Sequence, residues 1–179
     1  MKNFRIISLL FSVLFVMSCK NENDVKDAEK VEDKKVLNDF FEIKLDVKGK
    51  KDNTFHVYYT EDKSLNFDEK HTVWAEFENG SAENLKVVYK LPNDVLPNQL
   101  RLDFGINNID GVSIENIEIT YLDKTLNIKG AEISSYFRPN ELCTVYDSTA
   151  NVFKPLKKGD NISLYPIEKL PIELEKLFK

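Results

Sequence analysis

The chain has 179 residues, with 25 Lys and Arg against 30 Asp and Glu, a formal net charge of −5 and 42% hydrophobic residues. An acidic balance of this kind argues against nucleic acid as a partner, because no basic surplus remains to neutralise a phosphate backbone. The sequence has no Gly-x-Ser-x-Gly, no His-Glu-x-x-His and no glycine loop that could cradle a phosphate, so it reads as a non-enzyme with no catalytic residue to assign.

Residues 1–18 read as a secretory leader. Lys2 and Arg5 make a basic start, and residues 6–17 form an apolar run too short for a permanent span. The leader ends in Val16, Met17, Ser18 and Cys19, which resembles a bacterial lipobox. The resemblance implies that Cys19 becomes the mature N-terminus and carries the acyl chains that hold the protein on a membrane. Without the leader, 23 bases face 30 acids, a charge of −7. With Cys19 acylated, Cys143 has no disulfide partner and is expected to be a small buried core residue.

Residues 20–39 hold 12 charges and no aromatic. Such a stretch cannot bury enough apolar surface to offset its ordering entropy, so residues 19–39 are expected to be a disordered tether after the acylated cysteine. Lys20, Glu22 and Asp24 resemble the lysine-plus-acid export signals of Bacteroidota surface lipoproteins. The acids are not adjacent to Lys20, so a periplasmic or a surface-exposed outer-membrane lipoprotein, and retention on the inner leaflet, all stay open. Residues 40–179, about 140 in number, suit one domain with one core.

That domain reads as all-β. Phe41, Ile43, Leu45 and Val47 alternate with Glu42, Lys44, Asp46 and Lys48 before a turn at residues 49–53. Phe55, Val57 and Tyr59 then alternate with His56 and Tyr58, and Val73, Ala75 and Phe77 with Trp74 and Glu76, in a run read as one strand. Asn79 and Gly80 are a strong hairpin signal. Leu85, Val87, Tyr89 and Leu91 carry the next strand. In residues 100–121, Leu100, Leu102, Phe104 and Ile106 alternate up to a turn at Asn107, Asn108, Asp110 and Gly111. Beyond it Val112 and Ile114 share one parity and Ile117, Ile119 and Tyr121 the other, which predicts a β-bulge near Glu115 and Asn116. A tight hairpin at residues 122–126 and short strands at 133–136, 142–146, 151–153 and 162–165 follow. Leu174, Leu177 and Phe178 are spaced for one face of a short terminal helix. All six prolines fall at loops or strand ends. Some nine strands imply a single antiparallel β-sandwich.

The runs at 54–59 and 100–105, the strand end at Leu91 and Pro92, and residues 112–119 resemble jelly-roll sandwiches related to carbohydrate-binding modules, over roughly residues 40–125. The resemblance implies a Bacteroidota envelope or polysaccharide-associated setting, with a glycan or an envelope protein as partner. A sugar-binding face needs aromatic rings for the C–H faces of the sugar and polar groups for its hydroxyls. His56 with Tyr58, Trp74 with Glu76, and Arg101 with Asp103 all lie on the parity opposite the aliphatic one. They are the candidate glycan-binding residues if their strands are neighbours. The alternatives are that Trp74 and Tyr58 cover a second small core or decorate a solvated sheet, and that Arg101 and Asp103 form a structural ion pair. Jelly rolls of this type often hold a structural Ca²⁺, and Asn107, Asn108 and Asp110 offer oxygens. Turn geometry alone asks for the same residues, so no metal and no cofactor is assigned. His56 and His71 have no Cys or His at zinc-ligand spacing. Asp147, Ser148 and Thr149 resemble the short O-glycosylation sequence of secreted Bacteroidota proteins. A sheet edge or the C-terminal segment around Leu170 to Phe178 is the candidate docking surface if the protein is instead an interaction lipoprotein.

Overall fold

Alternation along β1 (Asn38–Lys48) organises the domain. Phe41, Ile43, Leu45 and Val47 are buried, while Lys44, Asp46 and Lys48 point outward. The computed structural model describes residues 37–51, 54–78, 81 and 83–179. The leader, Cys19, the tether up to residue 36, Asp52 and Asn53, and the Asn79–Gly80 turn lie outside the described residues. Residues Lys35–Lys179 form one compact unit, and β1 begins two residues ahead of the expected domain start.

Ten of the twelve strands among the described residues make two five-stranded antiparallel sheets packed face to face, an all-β sandwich. In the first sheet β4 (Glu76–Glu78), β5 (Asn84–Lys90), β1, β7 (Ser113–Leu122) and β8 (Lys124–Lys129) lie in that order. In the second the order is β3 (Thr72–Trp74), β2 (His56–Thr60), β6 (Gln99–Asp103), β12 (Ser163–Pro166) and β9 (Phe137–Pro139). β10 (Thr144–Asp147) and β11 (Val152–Pro155) form a separate hairpin. The chain crosses between sheets after β1, β3, β5, β6 and β8.

The bulge sits where parity requires it. Asp46 pairs with Asn116 but Val47 pairs with Ile114, so Glu115 is the extra residue. The offset keeps Ile114, Ile117 and Ile119 all buried against β1. The hairpin between β7 and β8 turns at Leu122 and Asp123, with Leu122 at φ 53°.

Three expectations change. Residues 71–77 are two strands: β3 belongs to the second sheet and β4 to the first, with the corner at Ala75, whose N–H donates to Phe55 O at 3.0 Å. Val73, Ala75 and Phe77 all pack on the core, so the chain rounds the edge of the sandwich with one face inward, as corner strands do. Residues 133–136 are not a strand; Gly130–Ser135 is a 3₁₀ helix. Ile133 and Tyr136 are buried three residues apart, a spacing that a 3₁₀ turn stacks on one side. The strand through Phe104 ends at Asp103, Gly105 turns the chain at φ 72°, and Ile106 is left exposed.

The terminal helix α1 (Lys169–Phe178) buries Leu170, Leu174 and Leu177 and touches β7 and β8 of one sheet and β6 and β12 of the other. Pro171 falls in the first turn, where its missing N–H costs nothing. Phe178 meets Phe41 edge-on at 6.2 Å, and Phe41 stacks on Tyr121 at 4.6 Å. The apolar face of α1 is therefore spent on the domain's own core, which removes it as a docking surface. Among the described residues no helix is long and apolar enough to cross a membrane.

Candidate functional site on the second sheet

The outer face of the second sheet is built in cross-strand rows. Register places His56 between Trp74 and Asp103, and Tyr58 between Thr72 and Arg101. Five of the six residues singled out by parity are thereby brought together. The sixth, Glu76, is not among them. The corner at Ala75 carries it to the first sheet, where it pairs with Lys90 at 3.1 Å.

Asp103 is the centre of the face and only 1% exposed. Arg101 donates to it twice, Nε to Oδ1 at 2.9 Å and Nη2 to Oδ2 at 2.6 Å. Ser163 Oγ donates to Oδ1 at 2.7 Å and Asn161 Nδ2 to Oδ2 at 2.6 Å. His56 Nδ1 donates to Thr54 O at 2.6 Å, which sets the ring so that Nε2 faces Asp103 Oδ2 at 3.5 Å. Burial alone pushes the Asp103 carboxyl up. The facing His56 ring, the hydrogen bonds and charge of Arg101 and the Ser163 hydroxyl outweigh it and hold the carboxyl below the usual carboxylate range.

Aromatic rings frame this network. The His56 ring lies 4.9 Å from Trp74 and 4.8 Å from Tyr58. The Arg101 guanidinium lies over Tyr58 at 4.5 Å and over Tyr165 at 5.2 Å, and Phe67 from the loop at 61–68 reaches over to both rings. Burial raises the Tyr58 hydroxyl above its ordinary range, with Arg101 pulling it back. Trp74 is 58% exposed at the head of a groove of about 530 Å³ lined by His56, Tyr58, Glu69, Thr72, Ile106 and Asn161. Trp74 thus covers no second core.

A groove of about 540 Å³ at the end of the sandwich is chemically different. It is lined by Lys48, Lys50, Asn84, Asn108 and Asp110 among others, with no aromatic ring. The Asn107–Gly111 turn belongs here. Asn108 is buried, accepts from Lys50 N at 2.7 Å and donates to Phe104 O at 3.1 Å, and Asp110 pairs with Lys50 at 3.2 Å. Among the described residues no three His, Cys, Asp or Glu side chains converge as a metal would need.

Ser163, Asp103 and His56 are the residue types of a hydrolytic triad, wired differently. In a triad the imidazole stands between hydroxyl and carboxylate and takes the hydroxyl proton. Here the carboxylate stands in the middle, and Ser163, fully buried, donates its proton to Asp103 while accepting from Arg101 Nε at 3.1 Å. The Ser163 hydroxyl thus bonds to Asp103 and Arg101 with no imidazole between them. Cys143 is half-buried beside Thr144 at 3.6 Å and does not join the core as expected, because it precedes β10 on the outward side of the hairpin. Ser148 and Thr149 are exposed in the β10–β11 turn, where Asp147 Oδ1 accepts from the N–H groups of Thr149 and Ala150.

Sequence reasoning missed Asn161, Ser163, Tyr165 and Phe67. The first three share the outward parity of β12 with Ile162 and Leu164 pointing inward, so the signal was present. Their partner strand lies some sixty residues earlier, and nothing local names it. Comparison with protein-family models, with curated proteins and with solved structures returns no match to this chain.

Proposed function

We propose that the protein is a lipid-anchored envelope protein whose β-sandwich binds a glycan without transforming it. The observation that carries the reading is Trp74, more than half exposed, held in a fixed row with His56 over a buried and fully hydrogen-bonded Asp103. An exposed indole packs on a ring set against a buried, hydrogen-bonded support, which is how a recognition surface is prepared in advance. Thr72 and Glu69 along the groove supply hydroxyl and carboxylate for sugar hydroxyls. The lipobox at Cys19 supports the anchor, and the export-like Lys20 leaves the leaflet open.

The test is the emission of Trp74, the only tryptophan. It should be red-shifted and readily quenched, and should shift to the blue with a binding member of a panel of envelope and plant glycans. Trp74→Ala and Tyr58→Ala should abolish that binding. A Trp74 that ignores every glycan removes the reading. Acylation is tested separately by the mass of the mature N-terminal peptide, which Cys19→Ser should leave unmodified.

A second reading, a protein-interaction lipoprotein, is favoured by the outer side of the β10–β11 hairpin. Leu142 is 87% exposed there, with Val145 and Leu156 also exposed. Cross-linking in cells that Leu142→Asp abolishes while glycan binding is absent would put this reading ahead.

A further inference from the structure

The chain contains 22 lysines and only three arginines: Arg5 in the leader, Arg101 and Arg138. In the folded domain the two arginines flank one ring. Arg101 reaches Tyr165 from β6 at 5.2 Å, and Arg138, paired with Tyr165 across β12 and β9, lies over it at 5.5 Å. The row Tyr58, Arg101, Tyr165, Arg138 therefore alternates ring and guanidinium across four neighbouring strands. A planar guanidinium can lie on a ring and still present its N–H edge, which an ammonium cannot do. That explains why a lysine-rich chain uses arginine here.

The two guanidiniums differ in what they hold. Arg101 is half-buried and gives its donors to Asp103 and Ser163. Arg138 is exposed, and among the described residues it has no hydrogen bond and no ion pair, only the Tyr165 ring. An oriented fork of N–H donors with an uncompensated positive charge, in an acidic protein, matches a planar carboxylate. We infer that Arg138 on Tyr165 is an anion subsite of the same sheet face and that the glycan is acidic, carrying the carboxylate of a uronic-acid residue. The inference rests on the glycan reading above and extends it. β3 and β9 stand four strand spacings apart, about 19 Å, so Trp74 and Arg138 would be served by one oligosaccharide and not by one sugar ring.

The experiment uses the purified full chain in neutral detergent, with Trp74 emission and calorimetry as readouts. The probes are tetrasaccharides of galacturonic, glucuronic and mannuronic acid, each beside its methyl ester, which has the same shape without the charge. At least one acid should bind about ten-fold or more tighter than its ester, and added salt should narrow the gap. Arg138→Gln should bring the acid to the level of the ester and leave ester binding unchanged, which also reports that the variant is folded. Arg138→Lys, with the charge but not the plane, should recover only part of the preference. Acid and ester binding alike would overturn the subsite and leave the glycan reading standing. A preference for acid that survives in Arg138→Gln would overturn it as well. Binding of neither form would overturn the uronic-acid subsite, and the glycan reading would then fall only if Trp74 also ignores the neutral members of its panel.

Discussion

The two sheets share one core and differ in what they show to solvent. On the first, charged side chains pair in water: Asp46 with Lys86 at 3.2 Å, Glu76 with Lys90 at 3.1 Å, and Lys48 with Glu115. Such pairs are worth little because water screens both partners. On the second, one carboxylate is taken out of water altogether and surrounded by Arg101, His56, Ser163 and Asn161 under a set of rings. A buried charge is costly unless every acceptor is used, so this face holds its shape where the other can rearrange freely. The same alternation of inward and outward residues thus yields a solvated surface in one sheet and a rigid platform in the other.

Breaking the central acid of each face should separate them most. Asp103→Asn leaves Arg101 half-buried without its counter-charge and should cost about 3 kcal/mol in urea unfolding, whereas Asp46→Asn should cost under about 1 kcal/mol. Equal losses would show that the second face is no more committed than the first.

Acid should act next. The Asp103 carboxyl is held below its ordinary value, so its contribution to stability is complete above the unfolded-state pKa of about 3.9. It is lost as the pH falls through the lower folded value. Unfolding midpoints measured downward from neutral pH should therefore drop in that acid window, and the drop should be shallower in Asp103→Asn. A wild-type profile that Asp103→Asn does not alter would remove the carboxylate from the account.

Smaller effects sharpen the contrast. Trp74→Ala should change stability by no more than about 0.5 kcal/mol, because the ring is mostly exposed, while abolishing glycan binding. On the inner side of the first sheet, the fully buried Tyr89 hydroxyl has no hydrogen-bond partner among the described residues, the reverse of Asp103. Tyr89→Phe removes that unsatisfied group and should be neutral or stabilising by up to about 1 kcal/mol in thermal unfolding.

Much of the fold could be read from single strands. The parity of Phe41 to Val47, Phe55 to Tyr59 and Leu85 to Leu91 assigned the buried face of each, and the parity change between Ile114 and Ile117 located the bulge at Glu115. The reading failed where periodicity was continuous but the chain was not straight. Nothing in Val73, Ala75 and Phe77 marks the corner that sends Trp74 and Glu76 to different sheets. Ile133 and Tyr136 fit a strand or a 3₁₀ turn equally well until the neighbours are known.

The sequence by itself determined that this is an all-β domain and which side of each strand meets the core, because a period of two is a local property of extended backbone carrying alternating side chains. Only the tertiary structure decided which outward residues meet. It set Ser163 and Asn161 beside Asp103, buried that acid, left Trp74 open, moved Glu76 away and put Arg138 on the far side of Tyr165. Strand neighbours are chosen by the summed burial and hydrogen bonding of segments sixty or more residues apart, such as β1 with β7, and no single segment contains that sum.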